Sequence, residues 1–265
     1  MIDRYAVFGH PIAHSKSPAI HAAFAAQTGQ MLTYEALLAP LDGFAAAIAD
    51  FAATGGRGAN VTVPFKEEAF RLATVKTPRA AAAGAVNTLI FTNEGMAADN
   101  TDGAGLVADL TNNLGVRLAG ARVLLLGAGG AARGVLGPLL DASTAEIVIA
   151  NRTPEKAVGL ASLFDERVSG CGFDSPGGAF DVVVNATAAS LAGLLPPVSR
   201  SVFGTSTLAY DMMYGRDTPF LSLARECGAR CADGLGMLVE QAAEAFFVWR
   251  GIRPDTLPVI ASLRR

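Results

Sequence analysis

The chain has 265 residues, of which 51% are hydrophobic and 17% charged, and its net charge is -3. This composition is typical of a compact α/β protein, and the length fits roughly two domains of about 150 residues. Because the chain has no basic run and no apolar stretch of about 18 residues, we expect it to bind neither nucleic acid nor membranes. It begins without the apolar region of a signal peptide, so a cytoplasmic location is expected.

Cysteine and histidine spacing gives no support to a metal site or a disulfide framework. The cysteines are odd in number and unpaired in spacing, which favours buried reduced thiols. The cysteines are Cys171, Cys227 and Cys231, and the histidines, which also lack the spacing of metal ligands, are His10, His14 and His21.

A polar loop with two serines follows the first predicted strand, at residues 5–9. Ser17 precedes Pro18, so it can cap a helix that begins there. Ser15 has no such role, and both hydroxyls could instead bind a hydroxylated or carboxylated ligand. Capping is the simpler interpretation of Ser17.

Alternating apolar and polar residues predict another strand at residues 59–63, after a strand at 33–39 and a helix at 42–53. Ligands of open α/β sheets gather where strands end, which makes Asn60, Thr62 and Lys66 candidate site residues. A solvated lysine in the first turn of a helix is the alternative for Lys66.

A predicted hairpin ends in a dense polar cluster. A short helix at residues 80–83 leads to a strand at 84–91, a glycine-containing turn and a return strand. Either Thr101 or Asp102 could cap the helix that starts at Gly103. One cap does not account for Asn100, Thr101 and Asp102 together.

The apolar run at residues 123–126 predicts a buried central strand, and the glycines Gly127, Gly129 and Gly130 follow it before a helix. Such a turn brings backbone N–H groups and a helix N-terminus to an anion, typically a nucleotide pyrophosphate. Glycine-rich turns also occur as plain bends and in methyltransferases, so dinucleotide binding stays one of several interpretations.

The second strand of this domain, predicted at residues 145–150, leads to Arg152. An acidic residue here serves NAD, whereas a cation suits the 2′-phosphate of NADP. Arg152 therefore favours NADP. The alternative interpretation is that Arg152 is simply an exposed arginine beside a helix cap. Further strands are predicted at 181–185 and from 208, and a helix at 235–249 carries Gln241 as the polar exception beside its apolar stripe.

Taken in order, eight short motifs resemble the shikimate dehydrogenase family over nearly the whole chain. They are SKSP at 15–18, NVTVPFK at 60–66, GAVNT at 84–88, DNTDG at 99–103, GAGGAARG at 127–134, NRT at 151–153, YDMMYG at 210–215 and DGLGMLVEQAA at 233–243.

The resemblance implies an enzyme that reduces 3-dehydroshikimate to shikimate with NADPH, on the route to aromatic amino acids. It implies an α/β substrate domain at 1–101 plus 236–265, a Rossmann-type doubly wound NADP domain at 102–235, a site in the cleft between them, and a monomer or homodimer. Lys66 and Asp102 are the implied catalytic pair. The implied substrate contacts are Ser15, Ser17, Asn60, Thr62, Asn87, Tyr214 and Gln241, and the implied cofactor contacts are Gly127, Ala128, Gly129, Gly130, Ala131, Asn151, Arg152, Thr153, Thr187, Gly234 and Met237.

One stretch departs from the family pattern, which commonly continues NAT with serine and then glycine. Here Ala188, Ala189 and Ser190 follow Thr187. Three alternatives remain: an NAD-preferring quinate/shikimate dehydrogenase, a regulator that binds NADP or shikimate without catalysis, and a methyltransferase using S-adenosylmethionine.

Overall fold

The computed structural model describes residues 2–264, which form two compact units. The first unit comprises the residues up to Leu106 and those from Leu238 onward, and the second runs from Val107 to Met237. The α/β class predicted from the sequence is confirmed. Asp102, expected at the start of the second domain, belongs to the first unit.

The strands and helices alternate along most of the chain. The strands are β1 (Asp3–Gly9), β2 (Leu32–Leu38), β3 (Gly56–Val61), β4 (Val75–Lys76), β5 (Thr88–Thr92), β6 (Gly95–Asp99), β7 (Arg122–Leu126), β8 (Glu146–Ala150), β9 (Val168–Cys171), β10 (Val182–Asn185), β11 (Leu208–Asp211) and β12 (Arg230–Asp233). The helices are α1 (Ser17–Thr28), α2 (Phe44–Ala53), α3 (Lys66–Leu72), α4 (Pro78–Ala83), α5 (Asp102–Ala108), α6 (Gly130–Asp141), α7 (Pro154–Ala161), α8 (Pro219–Glu226), α9 (Leu235–Arg250) and α10 (Leu257–Leu263).

The first unit is built on a mixed sheet with the strand order β2-β1-β3-β5-β6-β4. Strand β1 pairs in parallel with both β2 and β3, and its last five residues are buried, as expected for a strand covered on both faces. Strands β5 and β6 form the predicted antiparallel hairpin. Strand β3 therefore ends beside the start of this hairpin.

Two apolar cores hold this sheet. One joins the sheet to α2, α3 and α4 around Phe8, Phe44 and Phe65. The other packs α1 against α9 and α10 through Phe24 and Phe246. Burying an aromatic side chain of this size contributes about 2–3 kcal/mol, so these contacts stabilise the layers that carry the polar site.

The second unit is built on a parallel sheet with the order β12-β11-β10-β7-β8-β9. After β9 the chain returns to the other side of β7 and continues with β10. Ligands of such doubly wound sheets bind beyond the carboxyl ends of the strands at the point where the order reverses. That point lies between β7 and β10.

Some predicted boundaries were wrong. The strand predicted at 84–91 begins only at Thr88, because Gly84 ends helix α4 with a φ of 59° and the N–H of Val86 donates to Lys66. Strands β4, β9 and β12 and helices α8 and α10 were not predicted from the sequence. Among residues 2–264, no helix is both long and apolar enough to cross a membrane.

Candidate active site

Lys66 and Asp102 form an ion pair in the first unit. Lys66 is the first residue of α3 and Asp102 the first residue of α5, and Nζ of the lysine donates to Oδ2 of the aspartate at 2.5 Å. The two side chains are only 25% and 11% exposed. The lysine is therefore directed at a carboxylate rather than left solvated at its helix terminus.

Asn87 holds the other oxygen of Asp102. Its Nδ2 donates to Oδ1 of Asp102 at 2.8 Å, to the hydroxyl of Thr101 at 2.9 Å and to Oε1 of Gln241 at 3.2 Å. Its Oδ1 accepts from the backbone N–H of Thr101 at 2.8 Å and from the hydroxyl of Thr88 at 2.9 Å. Because a backbone N–H can only donate, the orientation of the Asn87 amide is fixed.

Asn60 supports Asn87 from strand β3. Its Nδ2 donates to the backbone carbonyl of Asn87 at 3.0 Å and to Thr88 at 3.1 Å. Its Oδ1 accepts from the hydroxyl of Tyr34 at 2.7 Å. Both N–H groups of the Asn60 amide are thus used within the protein, so only an oxygen lone pair is left for a ligand.

Tyr34 was not singled out from the sequence. Burial raises its pKa well above the usual value, against the opposing effect of a hydrogen bond from Ser17. Its ring stacks on the imidazole of His21, with ring centroids 4.0 Å apart. His21 is fully buried, and burial lowers its pKa to about 3 against the opposing effect of a hydrogen bond to Asn60. No sequence pattern pointed to this pair, because its residues lie on separate elements.

Ser17 does not cap helix α1 as predicted. Helix α1 begins at Ser17 itself, and its N-cap is Lys16, which makes no side-chain capping bond. The capping prediction for Ser17 is wrong. Instead, the hydroxyl of Ser15 accepts from the N–H of Ser17 at 3.3 Å.

Thr62 lies in the first unit, just after β3. It is half-buried, and within residues 2–264 its hydroxyl has no protein partner. A hydroxyl of this kind can donate to a ligand and accept from one.

An ion network holds the polar cluster that precedes α5. Arg79 contacts both oxygens of Asp99, at 2.7 and 2.5 Å, and reaches Glu244 at 2.9 Å. Burial alone raises the pKa of Asp99, but hydrogen bonds from Arg79 and Thr77 outweigh it and hold that pKa below its usual range. Asp99 also accepts from the N–H of Asn100 at 2.7 Å.

Asn100 provides the link from this network to Asp102. Its Oδ1 accepts from the N–H of Asp102 at 3.1 Å, which is the bond that a helix cap makes. Neither Thr101 nor Asp102 takes the capping role considered for them. The network thus fixes the residue at which α5 begins, and with it the position of the Asp102 carboxylate.

Gln241 reaches the site from α9. Its Nε2 donates to the carbonyl of Leu238 at 2.7 Å, which leaves its Oε1 facing Asn87. A Cβ on Gly105 would lie 2.6 Å from the backbone nitrogen of Gln241, so only glycine allows α5 to pass this close to α9. The structure therefore brings together Lys66, Asp102, Asn60, Asn87 and Gln241 of the predicted residues.

The glycine-rich turn of the second unit is open. Gly127 has a φ of 106°, a region that favours glycine, and Gly129 is the N-cap of α6 without any side-chain capping bond. A Cβ on Gly129 or Gly130 would meet nothing within 4 Å. The N–H groups of this helix start, which include Ala131, are thus available to an anion. Ala128 completes the turn.

Two cations accompany this turn. Arg152 follows β8, is exposed and makes no ion pair within residues 2–264. Beside it, Nδ2 of Asn151 donates to the carbonyl of Thr153 at 2.9 Å, and Thr153 is the N-cap of α7. Arg133, which the sequence analysis passed over, lies in the first turn of α6, and its buried Nε has no partner among the described residues. The donor set fits a dinucleotide phosphate.

The remaining predicted residues of the second unit lie on loops and at the start of α9. Tyr214 is half-buried, and burial raises its pKa. Gly234 donates to the carbonyl of Met213 at 2.9 Å, and a Cβ on it would lie 2.2 Å from the carbonyl of Met212. The N–H of Met237 donates to the hydroxyl of Tyr210 at 3.3 Å. Thr187 lies in the loop after β10, where its hydroxyl donates to Oδ1 of Asn185 at 2.8 Å.

No metal centre is built by the described residues, in which no three His, Cys, Asp or Glu side chains cluster suitably. His10 instead contacts the carbonyl of Ala39 at 2.9 Å.

Comparison with known proteins gives matches along the whole chain. Three family models match: Shikimate dehydrogenase substrate binding domain over residues 7–89, Shikimate / quinate 5-dehydrogenase over 109–195, and Shikimate 5'-dehydrogenase C-terminal domain over 234–264. A Dechloromonas aromatica protein named Shikimate dehydrogenase (NADP(+)) is 64% identical over 269 residues, which cover 100% of this chain and 98% of that protein.

Solved structures agree in fold. The crystal structure of an Ael1 enzyme from Pseudomonas putida matches with a TM-score of 0.95 and 52% identity, over 98% of each chain. Shikimate 5-dehydrogenase from Thermus thermophilus, in complex with NADP(H) and shikimate, matches with a TM-score of 0.89 and 34% identity, over 100% of this chain and 99% of that one. The chain belongs to the shikimate dehydrogenase family.

Proposed function

We propose that the protein is an NADP-dependent shikimate dehydrogenase, which reversibly reduces 3-dehydroshikimate to shikimate in aromatic amino acid biosynthesis. The contact that carries the proposal is the 2.5 Å bond between Lys66 and Asp102. Ketone reduction needs a proton donor at the carbonyl oxygen, and this pair supplies one in a partly enclosed place. Relatives 64% to 53% identical to the chain carry the name Shikimate dehydrogenase (NADP(+)).

Lys66 acts as the acid in reduction and as the base in oxidation. Its Nζ has three N–H groups, and Asp102 takes one of them. The others can reach the substrate oxygen and give it a proton. Asp102 orients the ammonium, and Asn87 keeps the carboxylate in place by donating to its second oxygen.

NADP fits the second unit because the α6 N-terminus is uncapped and its glycines leave open space. When bound, the cofactor supplies or accepts the hydride. We assign its phosphates to the turn at Gly127–Ala131 and its 2′-phosphate to Arg152 and its neighbours Asn151 and Thr153. Thr187, Gly234 and Met237 are assigned to the cofactor as well.

The substrate carboxylate and hydroxyls are assigned mainly to the first unit. Ser15 and Thr62 offer hydroxyls that can donate to a carboxylate. Ser17, whose hydroxyl also contacts Tyr34, is assigned to the substrate with them. Asn87 and Gln241 offer amides near the Lys66–Asp102 pair. Asn60 acts chiefly by holding Asn87, and Tyr214 is assigned to the substrate as well.

The first test is absorbance of NADPH while the purified protein receives shikimate or quinate, each with NADP or NAD. Fast reduction with shikimate and NADP is the expected result. A preference for NAD or for quinate contradicts the proposal in favour of the quinate/shikimate branch. No change in absorbance in any of the four mixtures, with folded protein that binds NADP, favours a regulator. Binding of S-adenosylmethionine instead of NADP favours a methyltransferase.

We further propose a cytoplasmic enzyme that works as a monomer or homodimer. Sedimentation of the purified protein over a range of concentrations measures its mass, and a larger assembly contradicts this.

A further inference from the structure

A buried carboxylate joins two loops of the second unit. Asp211 is the last residue of β11 and is fully buried. Its Oδ2 accepts from the hydroxyls of Ser190 and Thr218, both at 2.7 Å, and from Asn185 at 3.2 Å, while Oδ1 accepts from the N–H of Met213 at 3.0 Å. No cation pairs with it within residues 2–264. Its charge is therefore balanced by dipoles from the loops after β10 and β11.

Ser190 is the central link of this cluster, and its direction is fixed. The backbone N–H of Thr187 donates to Oδ1 of Asn185 at 3.1 Å, so Nδ2 of Asn185 must face Ser190, at 2.8 Å. Ser190 accepts that bond and donates its own hydrogen to Asp211. The fully buried hydroxyl thus connects the turn after β10 to the carboxylate at the end of β11.

The turn that Ser190 holds lies against the glycine-rich turn. A Cβ on Gly127 would lie 3.2 Å from the carbonyl oxygen of Ala186 and 3.3 Å from Cγ2 of Thr187. The hydroxyl of Thr187 donates to Asn185 at 2.8 Å and accepts from Ala189 at 3.3 Å. Its hydrogen is therefore already used, and the turn presents its backbone and the threonine methyl beside Gly127.

The second loop is held in the same way. Asp211 fixes the N–H of Met213, whose carbonyl accepts from Gly234. Residues assigned to the cofactor on three separate segments, Gly127, Thr187 and Gly234, thus each contact a residue that this cluster holds.

We propose that Ser190 and Asp211 are positioning residues for the cofactor, which together set the loops after β10 and β11 relative to the glycine-rich turn. This inference rests on the proposed function. The stretch Ala188, Ala189 and Ser190 supplies the hydroxyl that reaches Asp211.

The test compares Ser190→Ala with Thr207→Val. Thr207 is also fully buried in the second unit, and its hydroxyl likewise donates once, to Phe180 at 2.6 Å, and accepts once, from Gly204 at 2.8 Å. It lies just before β11, at the amino ends of the parallel strands, whereas the cofactor turn follows the carboxyl end of β7. Both variants lose one buried hydroxyl, so both should lower Tm, and Ser190→Ala should lower it more because its hydroxyl donates to a carboxylate.

Only Ser190→Ala should weaken cofactor binding. We expect Kd for NADPH, measured by fluorescence without substrate, and KM for NADP to rise about tenfold, the equivalent of about 1.4 kcal/mol for one hydrogen bond. KM for shikimate should stay unchanged. If Ser190→Ala does not fold, Ser190→Cys, whose thiol is a weaker donor, should show a smaller rise in the same direction.

The outcomes separate this inference from the proposed function. If the unaltered protein fails to bind NADPH, the proposed function fails and this inference fails with it. If the unaltered protein binds NADPH and the Ser190 variant binds it as tightly as Thr207→Val does, only the inference is overturned.

Discussion

The two regions assigned to substrate and to cofactor are built in opposite ways. Around Asn87, side chains satisfy one another, and amide orientations are forced by backbone groups. At the glycine-rich turn, the helix start has no side-chain cap and Arg152 makes no ion pair within residues 2–264. A closed network positions a reacting group, whereas an open turn leaves its donors for the ligand. Substitutions should therefore affect turnover in the first region and affinity in the second.

The largest expected effect is that of Lys66→Ala on turnover. Loss of a general acid costs about 10²- to 10⁴-fold, so kcat should fall by that amount while Kd for NADPH stays unchanged. Stopped-flow absorbance and NADPH fluorescence measure the two quantities. Lys76→Ala is the matched control, because that lysine donates to the carbonyl of Ala73, lies over the ring of Phe70 and pairs with no carboxylate within residues 2–264. A Lys66 variant with most of its turnover would remove the acid/base assignment.

Next in size is the effect of Arg152→Ala on cofactor choice. A charge-assisted bond to the 2′-phosphate is worth about 1.5–3 kcal/mol, so KM for NADP should rise about 10- to 100-fold and KM for NAD should hardly change. Arg200→Ala, an exposed arginine paired with Glu226 in the same unit, is the control. Equal losses with both cofactors would contradict the assignment of Arg152 to the 2′-phosphate.

The third prediction concerns how the stability of His21→Phe depends on pH, which tests the closed region. The folded protein binds a proton at His21 only near pH 3, whereas an unfolded chain binds it near pH 6.5. Between these values the unfolded state holds more protons, so the free energy of unfolding falls by up to about 1.4 kcal/mol for each unit of pH lowered.

Phenylalanine at this position abolishes that contribution. The loss of stability between pH 7 and pH 5, measured by urea unfolding, should therefore be about 2 kcal/mol smaller in His21→Phe. His14→Ala serves as the control because His14 is exposed. An identical loss in the His21 variant and the unaltered protein would show that the imidazole takes up protons freely in the fold.

The smallest effect concerns the shape of the open turn. Gly127 and Gly120 have φ values of 106° and 78°, so alanine at either costs about 1–2 kcal/mol of stability. Nothing lies within 4 Å of a Cβ on Gly120, but a Cβ on Gly127 meets the turn at Ala186. Only Gly127→Ala should therefore also weaken NADPH binding, and equal NADPH affinities for the two variants would argue against that contact.

Much of the fold could be predicted from local sequence patterns. The apolar run at β7, the glycines after it and the hairpin of β5 and β6 were predicted from short segments, because their signals lie in neighbouring residues. Ser17 misled the prediction, since a serine before proline is a typical cap, yet the helix begins one residue earlier and the side chain lies buried beside Tyr34.

The site depends on contacts between distant segments. Lys66 and Asp102 are 36 positions apart, and Asn87 and Gln241 are 154 apart. Only resemblance to a family indicated that these residues act together. The roles of Tyr34, Arg79 and Ser190 could not be predicted, because each depends on which buried acceptor the fold places opposite its donor.

Asn87 offers two amide hydrogens to three acceptors, and the contact to Gln241 is the longest of them. A ligand oxygen that arrives at this amide therefore replaces a protein oxygen instead of filling a vacancy. The displaced glutamine can turn its own oxygen towards a ligand hydroxyl, so the number of hydrogen bonds is conserved through the exchange. Such a site selects ligands by the placement of their hydroxyl groups more than by the strength of single hydrogen bonds. A ligand without a correctly placed hydroxyl leaves Asn87 and Gln241 in contact with each other.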